Sequence, residues 1–336
     1  MQQFAQSNSI LPTSAIARRS GFFSFLLTAV GLLALSTSPA TAQTQTRSFP
    51  IRVGTAPLDI VQGPDGNFWF TLSNSSKVAV ITPRGKIHGF RTPSLSNPAF
   101  ITVGPDGNMW FGEGSTGAIA SVTPAGVVTE HQFSFFGVSV GITTGSDGNI
   151  WFSDQTDHAI WRFNLTTETF TEFKTPTPSS YPGDMTLGSD GNVWFTMQAV
   201  GKFGRITPTG QITEFTGVDS PGSIAAGPDG NLWIASAFNP TISRVTPSLQ
   251  ITSFPTPNTP AIIRPGNGNK LIFTSFTGNT IASITTDGVV TESAPFPDSA
   301  PLGITAGRRN QVWFVGDGET RFTRRPSRNR DRRRKL

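Results

Sequence analysis

Short apolar segments alternate with turns rich in Gly, Pro, Asn and Asp from about residue 47 to residue 325, the punctuation of a chain of short strands. A representative unit begins with Ile101-Thr102-Val103, turns at Pro105-Asp106-Gly107-Asn108 and continues as Met109-Trp110-Phe111. Asp-Gly between apolar runs is a strong hairpin signal. An apolar residue nine positions after the Trp (Val78, Ile119, Ile160, Phe203, Ile242, Ile281, Phe322) opens a third strand, and segments such as Val127-Val128-Thr129-Glu130 supply a fourth.

The unit recurs. Gly63 to Phe70 returns as Gly104 to Phe111, Gly145 to Phe152, Gly188 to Phe195 and Gly227 to Ile234, then in degraded form as Gly266 to Phe273 and Gly307 to Phe314. The Trp position falls at 69, 110, 151, 194, 233, 272 (Ile) and 313, at steps of 39 to 43 residues, which suits one four-stranded propeller blade per repeat. The expected fold is all-β: a seven-bladed β-propeller of four-stranded antiparallel blades. The last repeat lacks a fourth strand and an orphan strand stands at Arg47–Val53, so the N-terminal strand is expected to complete the last blade and close the ring.

The 336 residues include 35 Gly, 26 Pro, 27 Phe and no Cys, which excludes disulfides, a thiol nucleophile and thiolate metal sites. The formal charge of +5 is unevenly spread. Residues 321–336 hold nine basic residues against Asp331, whereas residues 43–320 are acidic by five charges. At the start, Arg18-Arg19, the apolar run Phe22–Leu35 and Ala40-Thr41-Ala42 have the order of a signal peptide. The expected domains are therefore a signal peptide at 1–42, the propeller at 47–325 and a disordered Arg-rich tail at 326–336. The expected location is exported, periplasmic or secreted, with no membrane span after cleavage, and a monomer is expected because a closed ring hides its edges. The Arg-rich tail suits an anionic surface, or is simply solvated; it carries no interleaved aromatics for base stacking.

The repeated Asp65, Asp106, Asp147, Asp190 and Asp229 read as turn residues, since a calcium loop would need several carboxylates and each turn has one. The segments Val140-Gly141-Ile142-Thr143, Pro301-Leu302-Gly303-Ile304-Thr305, Trp110-Phe111-Gly112-Glu113 and Lys202-Phe203-Gly204-Arg205-Ile206-Thr207 resemble the streptogramin B (virginiamycin B) lyases. That resemblance implies a seven-bladed propeller, a carbon–oxygen lyase that linearises a cyclic depsipeptide, Mg2+ as cofactor and histidine as general base and acid. The family's histidine stands second in a P-H-G-I-T segment of the late blades. Here those positions are Leu58, Ala99, Val140, Gly183, Gly222, Ala261 and Leu302. His88 and His131 fall on expected outer strands and His158 in a loop.

The expected upper face, where inner strands begin and second strands end, offers Asp59, Glu113, Asp154, Asp184 and Arg264 as candidate ligand-binding residues. Glu113 and Asp154 occupy equivalent positions of neighbouring repeats and are the candidate metal pair; rim solvation is the alternative. Arg264 stands where four of the other six inner strands have Thr, facing these acids or an anion. Three functions remain open at this stage. One is a binding propeller for a small molecule, peptide or glycan that lacks the family's lyase activity. The others are a divergent metal-dependent lyase or hydrolase, and an interaction scaffold using the rim and basic tail.

Overall fold

The computed structural model describes residues 45–51, 55–134, 137–275, 277–297, 299–316 and 319–324, all within one compact unit, Ala42–Leu336. The expected signal peptide and the tail 326–336 lie outside the described residues. Seven antiparallel sheets of four strands are present. Blade 1 shows the pattern with Pro57–Gln62, Phe68–Leu72, Lys77–Ile81 and Ile87–Arg91, each strand paired to the next. Blades 2 to 6 repeat it, with inner strands Pro98–Val103, Ser139–Thr144, Met185–Leu187, Pro221–Ala226 and Ile263–Pro265.

The expectation of a seven-bladed propeller is corrected in one respect. Counted as units that the chain completes in a single pass, the blades number six, each of four consecutive strands. The remaining sheet is composite: Ile304–Ala306, Val312–Gly316 and Glu319–Arg324 come from the end of the chain, and Gln45–Pro50 adds the outer strand. Gln45 pairs with Arg324 and Pro50 with Glu319. Each inner strand packs on that of the next blade, and the composite sheet's inner strand packs on that of blade 1, so the ring closes.

Satisfied tryptophans explain why the turn sequence recurs. Trp69, Trp151 and Trp233 are almost wholly buried between sheets, where an unpaired indole N–H is costly. The turn carboxylate two residues before Asn accepts that proton: Trp69 to Asp65 at 3.3 Å, Trp110 to Asp106 at 3.1 Å, Trp151 to Asp147 at 3.0 Å, and Trp194 and Trp233 to Asp190 and Asp229 at 3.1 Å. The same carboxylate takes the backbone N–H and amide of the following Asn, as Asp65 does from Asn67. Arg162, Arg205 and Arg244 lie over the Trp and outer-strand Phe of blades 3, 4 and 5. Two of them donate onward to the next blade, Arg162 to the Pro208 carbonyl and Arg244 to that of Thr286.

Blades are stapled near the axis by hydroxyls at the end of second strands. Ser153 donates to the Gly183 carbonyl, Thr196 to that of Gly222 and Thr274 to that of Leu302, each in the following blade. At the rim, outer-strand Phe residues cover the glycine of the neighbouring lower turn. Phe49 covers Gly85, whose φ of +93° also demands glycine, so the N-terminal strand is keyed to blade 1 as well as paired with the last.

Asp229→Ala is expected to lower unfolding free energy by roughly 1–3 kcal/mol, because it orphans the Trp233 indole and the Asn231 amide together. Urea denaturation followed by tryptophan fluorescence measures this; an unchanged midpoint would show that the indole has another acceptor.

Candidate functional site: the channel mouth

Inner strands begin on the face opposite the Asp-Gly turns. Register slips between Pro57 and Ile60, Pro98 and Ile101, Ser139 and Ile142, and Pro221 and Ser223 place a bulge near the start of four of them. A bulge re-aims side chains locally. The third positions of the seven inner segments are Asp59, Phe100, Gly141, Asp184, Ser223, Ile262 and Gly303. Five of the seven carry side chains where the repeat otherwise has glycine.

Those side chains meet at one guanidinium. Arg264, from blade 6, donates through Nη1 to Asp184 Oδ2 of blade 4 at 2.8 Å and contacts Asp59 Oδ2 of blade 1 through Nη2 at 3.5 Å. Its Cζ lies 5.5 Å from the Phe100 ring centre of blade 2. Ser223 of blade 5 donates to Asp184 Oδ2 at 2.6 Å and accepts from the Ile263 N–H and from Arg264 Nη1. Groups from five blades converge only near the axis, so this cluster plugs the channel. Asp59 also accepts from the Ile101 N–H, while its Oδ1 is buried with no hydrogen-bond partner among the described residues.

Burial pushes the Asp59 carboxyl above its usual range; Arg264 opposes that shift and Asp184 adds to it. Burial alone would lower the Arg264 pKa, but Asp184 and then Asp59 outweigh it, and the guanidinium is held charged. The three candidates Asp59, Asp184 and Arg264 are thus brought together as an ion-pair network. Glu113 and Asp154 stand apart from it.

Glu113 is fully buried at the end of the second strand of blade 2. Ser96 donates to its Oε1 at 2.9 Å and Thr116 to its Oε2 at 2.8 Å. Glu130 approaches through a shared Ser94, whose hydroxyl and N–H both donate to Glu130 Oε1. Burial, with the Glu130 charge adding, raises the Glu113 carboxyl to about 7, against hydrogen bonds from Thr116 and Ser96 that pull it down. Blade 4 shows the contrast: there Glu214 takes the same kind of loop contact from Thr177 but is neutralised by Lys202 at 2.9 Å. Asp154 caps its own turn, accepting from the N–H groups of Thr156 and Val138, with burial raising its pKa as the leading cause. Ser236 and Ser275 cap the corresponding turns of blades 5 and 6.

Among the described residues the two carboxylates accept from different donors, and each ties down loops. Magnesium needs six oxygens in near-octahedral order. Among the described residues no three His, Asp or Glu side chains converge to hold a metal, and both oxygens of Glu113 and Oδ1 of Asp154 are already occupied by N–H and O–H donors. This donor set does not fit the ion.

A cavity of about 340 Å³ opens beside the plug, between blades 4, 5 and 6. The apolar Phe100, Pro260 and Ile262, the small Gly222, Ala237 and Ala261, and Ser223 of the ion-pair cluster line it. Gln198, Thr259 and Thr277 bring neutral polar groups to it. Sequence reasoning missed Ser223 and the cavity. Aligning the third positions of the inner segments would have exposed the first. His131 stacks on Trp110 at 5.1 Å, with burial lowering its pKa, and His88 lies on an outer strand; His158 contacts Tyr181.

The sequence profile of the virginiamycin B lyase family matches residues 37–216 and 137–328, overlapping because the repeats permit two alignments. The chain belongs to the virginiamycin B lyase family. A solved streptogramin B lyase superposes with a TM-score of 0.79 at 29% identity, covering 83% of this chain and 97% of that one. A catalytically inactive His-to-Ala variant of virginiamycin B lyase from Staphylococcus aureus with quinupristin gives 0.79 at 28% identity, covering 84% and 99%. The extracellular domain of a hybrid two-component system from B. thetaiotaomicron, 15% identical with a TM-score of 0.65, shares the fold alone. No curated protein matches the sequence. Gly222 and Ala261, the second residues of the blade 5 and blade 6 inner segments, both line the cavity.

Arg264→Ala is expected to destabilise the protein by roughly 3–5 kcal/mol at neutral pH, since two buried carboxylates lose their cation. Without Arg264 nothing opposes the burial that pushes the Asp59 carboxyl up, so the deficit shrinks as pH falls; a pH-independent deficit would contradict the ion-pair account. Glu113→Gln tests the second network. Its folded pKa of about 7 exceeds the ordinary 4.5, so the native state holds the extra proton between those values and stability declines as pH rises through that window. Gln keeps a neutral side chain, so the variant should be flatter over that range and gain on the order of 2 kcal/mol relative to wild type at pH 8. Thermal melts from pH 4 to 8 measure the slope, and identical slopes would refute it.

Proposed function

We propose that this member of the family binds a small molecule, peptide or glycan in the channel-mouth cavity after export, without the family's lyase chemistry. The observation that carries the reading is the replacement of the repeat's histidine position by Gly222 and Ala261, which leaves open volume where a base would stand. Loss of a positioned acid–base group alone costs on the order of 10²–10⁴ in rate. The neighbouring charges support the same reading. Arg264, Asp59 and Asp184 compensate one another, and Ser223 spends its hydroxyl on that network. What is left facing the cavity is an apolar floor with neutral amide and hydroxyl groups, the lining of a site that holds rather than transforms its ligand. The signal-peptide order at residues 1–42 supports export.

Quinupristin, seen with the Staphylococcus aureus relative, is the first probe. Incubation with the chain from Ala42 onward, with and without magnesium, is expected to leave it unopened, as judged by retention and absorbance since elimination conserves mass. Binding is expected as a rise in melting temperature that survives chelation and disappears in Ala261→Phe, which fills the cavity. A magnesium-dependent linear product would overturn the loss of lyase chemistry. A shift equal in the Phe variant would remove the cavity from the account.

A further inference from the structure

Charge in this protein is separated by blade. Residues 43–94, which form the N-terminal strand and blade 1, carry six basic residues against two acidic ones. Residues 95–298, which form blades 2 to 6, carry seven basic against sixteen acidic. One of the two acids of the first group, Asp59, is buried in the channel plug, and the other, Asp65, is engaged by Asn67 and Trp69. None of the described ion pairs involves a cation of blade 1 or of the composite sheet; all their cations belong to blades 3, 4 and 6.

Among the described residues three of these cations, Arg84, Lys86 and Arg308, lie on lower turns of adjacent sheets, while Lys77 and Arg91 pair at the opposite end of blade 1. The lower turn of blade 1 exposes Arg84 and Lys86 on either side of Gly85, the glycine covered by Phe49 of the N-terminal strand. Arg308, exposed on the lower turn of the composite sheet, reaches toward Gly66 of blade 1. The strand Glu319–Arg324 runs downward to the same edge, where Arg324 pairs with Gln45. Beyond it the sequence continues with seven more basic residues against Asp331.

We propose that the lower edge shared by blade 1 and the composite sheet docks this protein on an anionic phospholipid bilayer, leaving the channel mouth turned away from the surface. Three observations select that partner. The cations span two adjacent blades along one edge, suited to a plane rather than a pocket. Arginine predominates, and its fork matches phosphate oxygens. None of the exposed large hydrophobic residues among the described ones lies in blade 1 or the composite sheet, so the contact is electrostatic, with neither a wedge for lipid tails nor a platform for nucleic-acid bases.

The test is co-flotation of the chain from Ala42 onward, which omits the apolar leader and retains every sheet, with vesicles of phosphatidylcholine alone or mixed with phosphatidylglycerol. Binding is expected only with the anionic lipid and is expected to weaken as salt is raised. Arg84→Glu with Lys86→Glu, tail intact, is expected to weaken it by at least about fivefold per reversed residue. Lys174→Glu on blade 3 is the control and should bind as wild type. Wild-type binding by the Arg84/Lys86 double variant would overturn the docking edge. Equal binding to neutral vesicles, or loss of lipid binding to a competing DNA duplex at matched phosphate, would overturn the bilayer as partner. Far-ultraviolet circular dichroism verifies that each variant retains its sheets, and a paired reversal of Arg84 and Arg308 repeats the test if the first variant unfolds.

Discussion

A tryptophan wedged between two sheets has one polar atom, and the fold is organised around satisfying it. The turn Asp does so while also closing its own hairpin, so one carboxylate couples local turn geometry to interblade packing. The degraded repeats support this. Where Ile272 replaces Trp, the turn becomes Asn267-Gly268-Asn269 and no carboxylate is kept. Trp313 keeps its ring but stacks on Phe68 at 4.2 Å, at the seam where the composite sheet meets blade 1.

The channel mouth is built on a different rule. Inner segments with glycine at the third position leave the axis open, and here five of seven carry Asp, Phe, Ser or Ile instead. Two acids near the axis would repel each other and pay for desolvation; one guanidinium between them lowers both costs. The plug therefore consumes the strongest charges on the face. The adjoining cavity is lined by apolar and neutral polar side chains.

Repeats also show which carboxylates are structural. Asp154, Ser236 and Ser275 occupy one position and each accepts N–H groups of its own turn. Glu113 at that position has a longer reach, and it bonds the loop of the preceding connection through Ser96. It lies near Glu130, which lacks the lysine that pairs with its blade 4 counterpart Glu214, and burial leaves a carboxyl that titrates near neutrality.

The repeat spacing, the strand pattern, the turn role of Asp65 and its equivalents and the closing N-terminal strand were all legible in the sequence, because each rests on contacts between residues close along the chain or on a period. The family resemblance was legible from the same motifs. The meeting of Asp59, Asp184 and Arg264 was not. These residues come from blades 1, 4 and 6, and the Arg264–Asp59 contact joins positions 205 residues apart. Nor did the equivalence of Glu113 and Asp154 foretell their different donors: Ser96 and Thr116 hold the one, Val138 and Thr156 the other. The repeat pointed to Asp59, Asp184 and Arg264 but not to Ser223; only ring closure decided which of them touch, because a side chain's partner across a channel depends on curvature that no local pattern encodes.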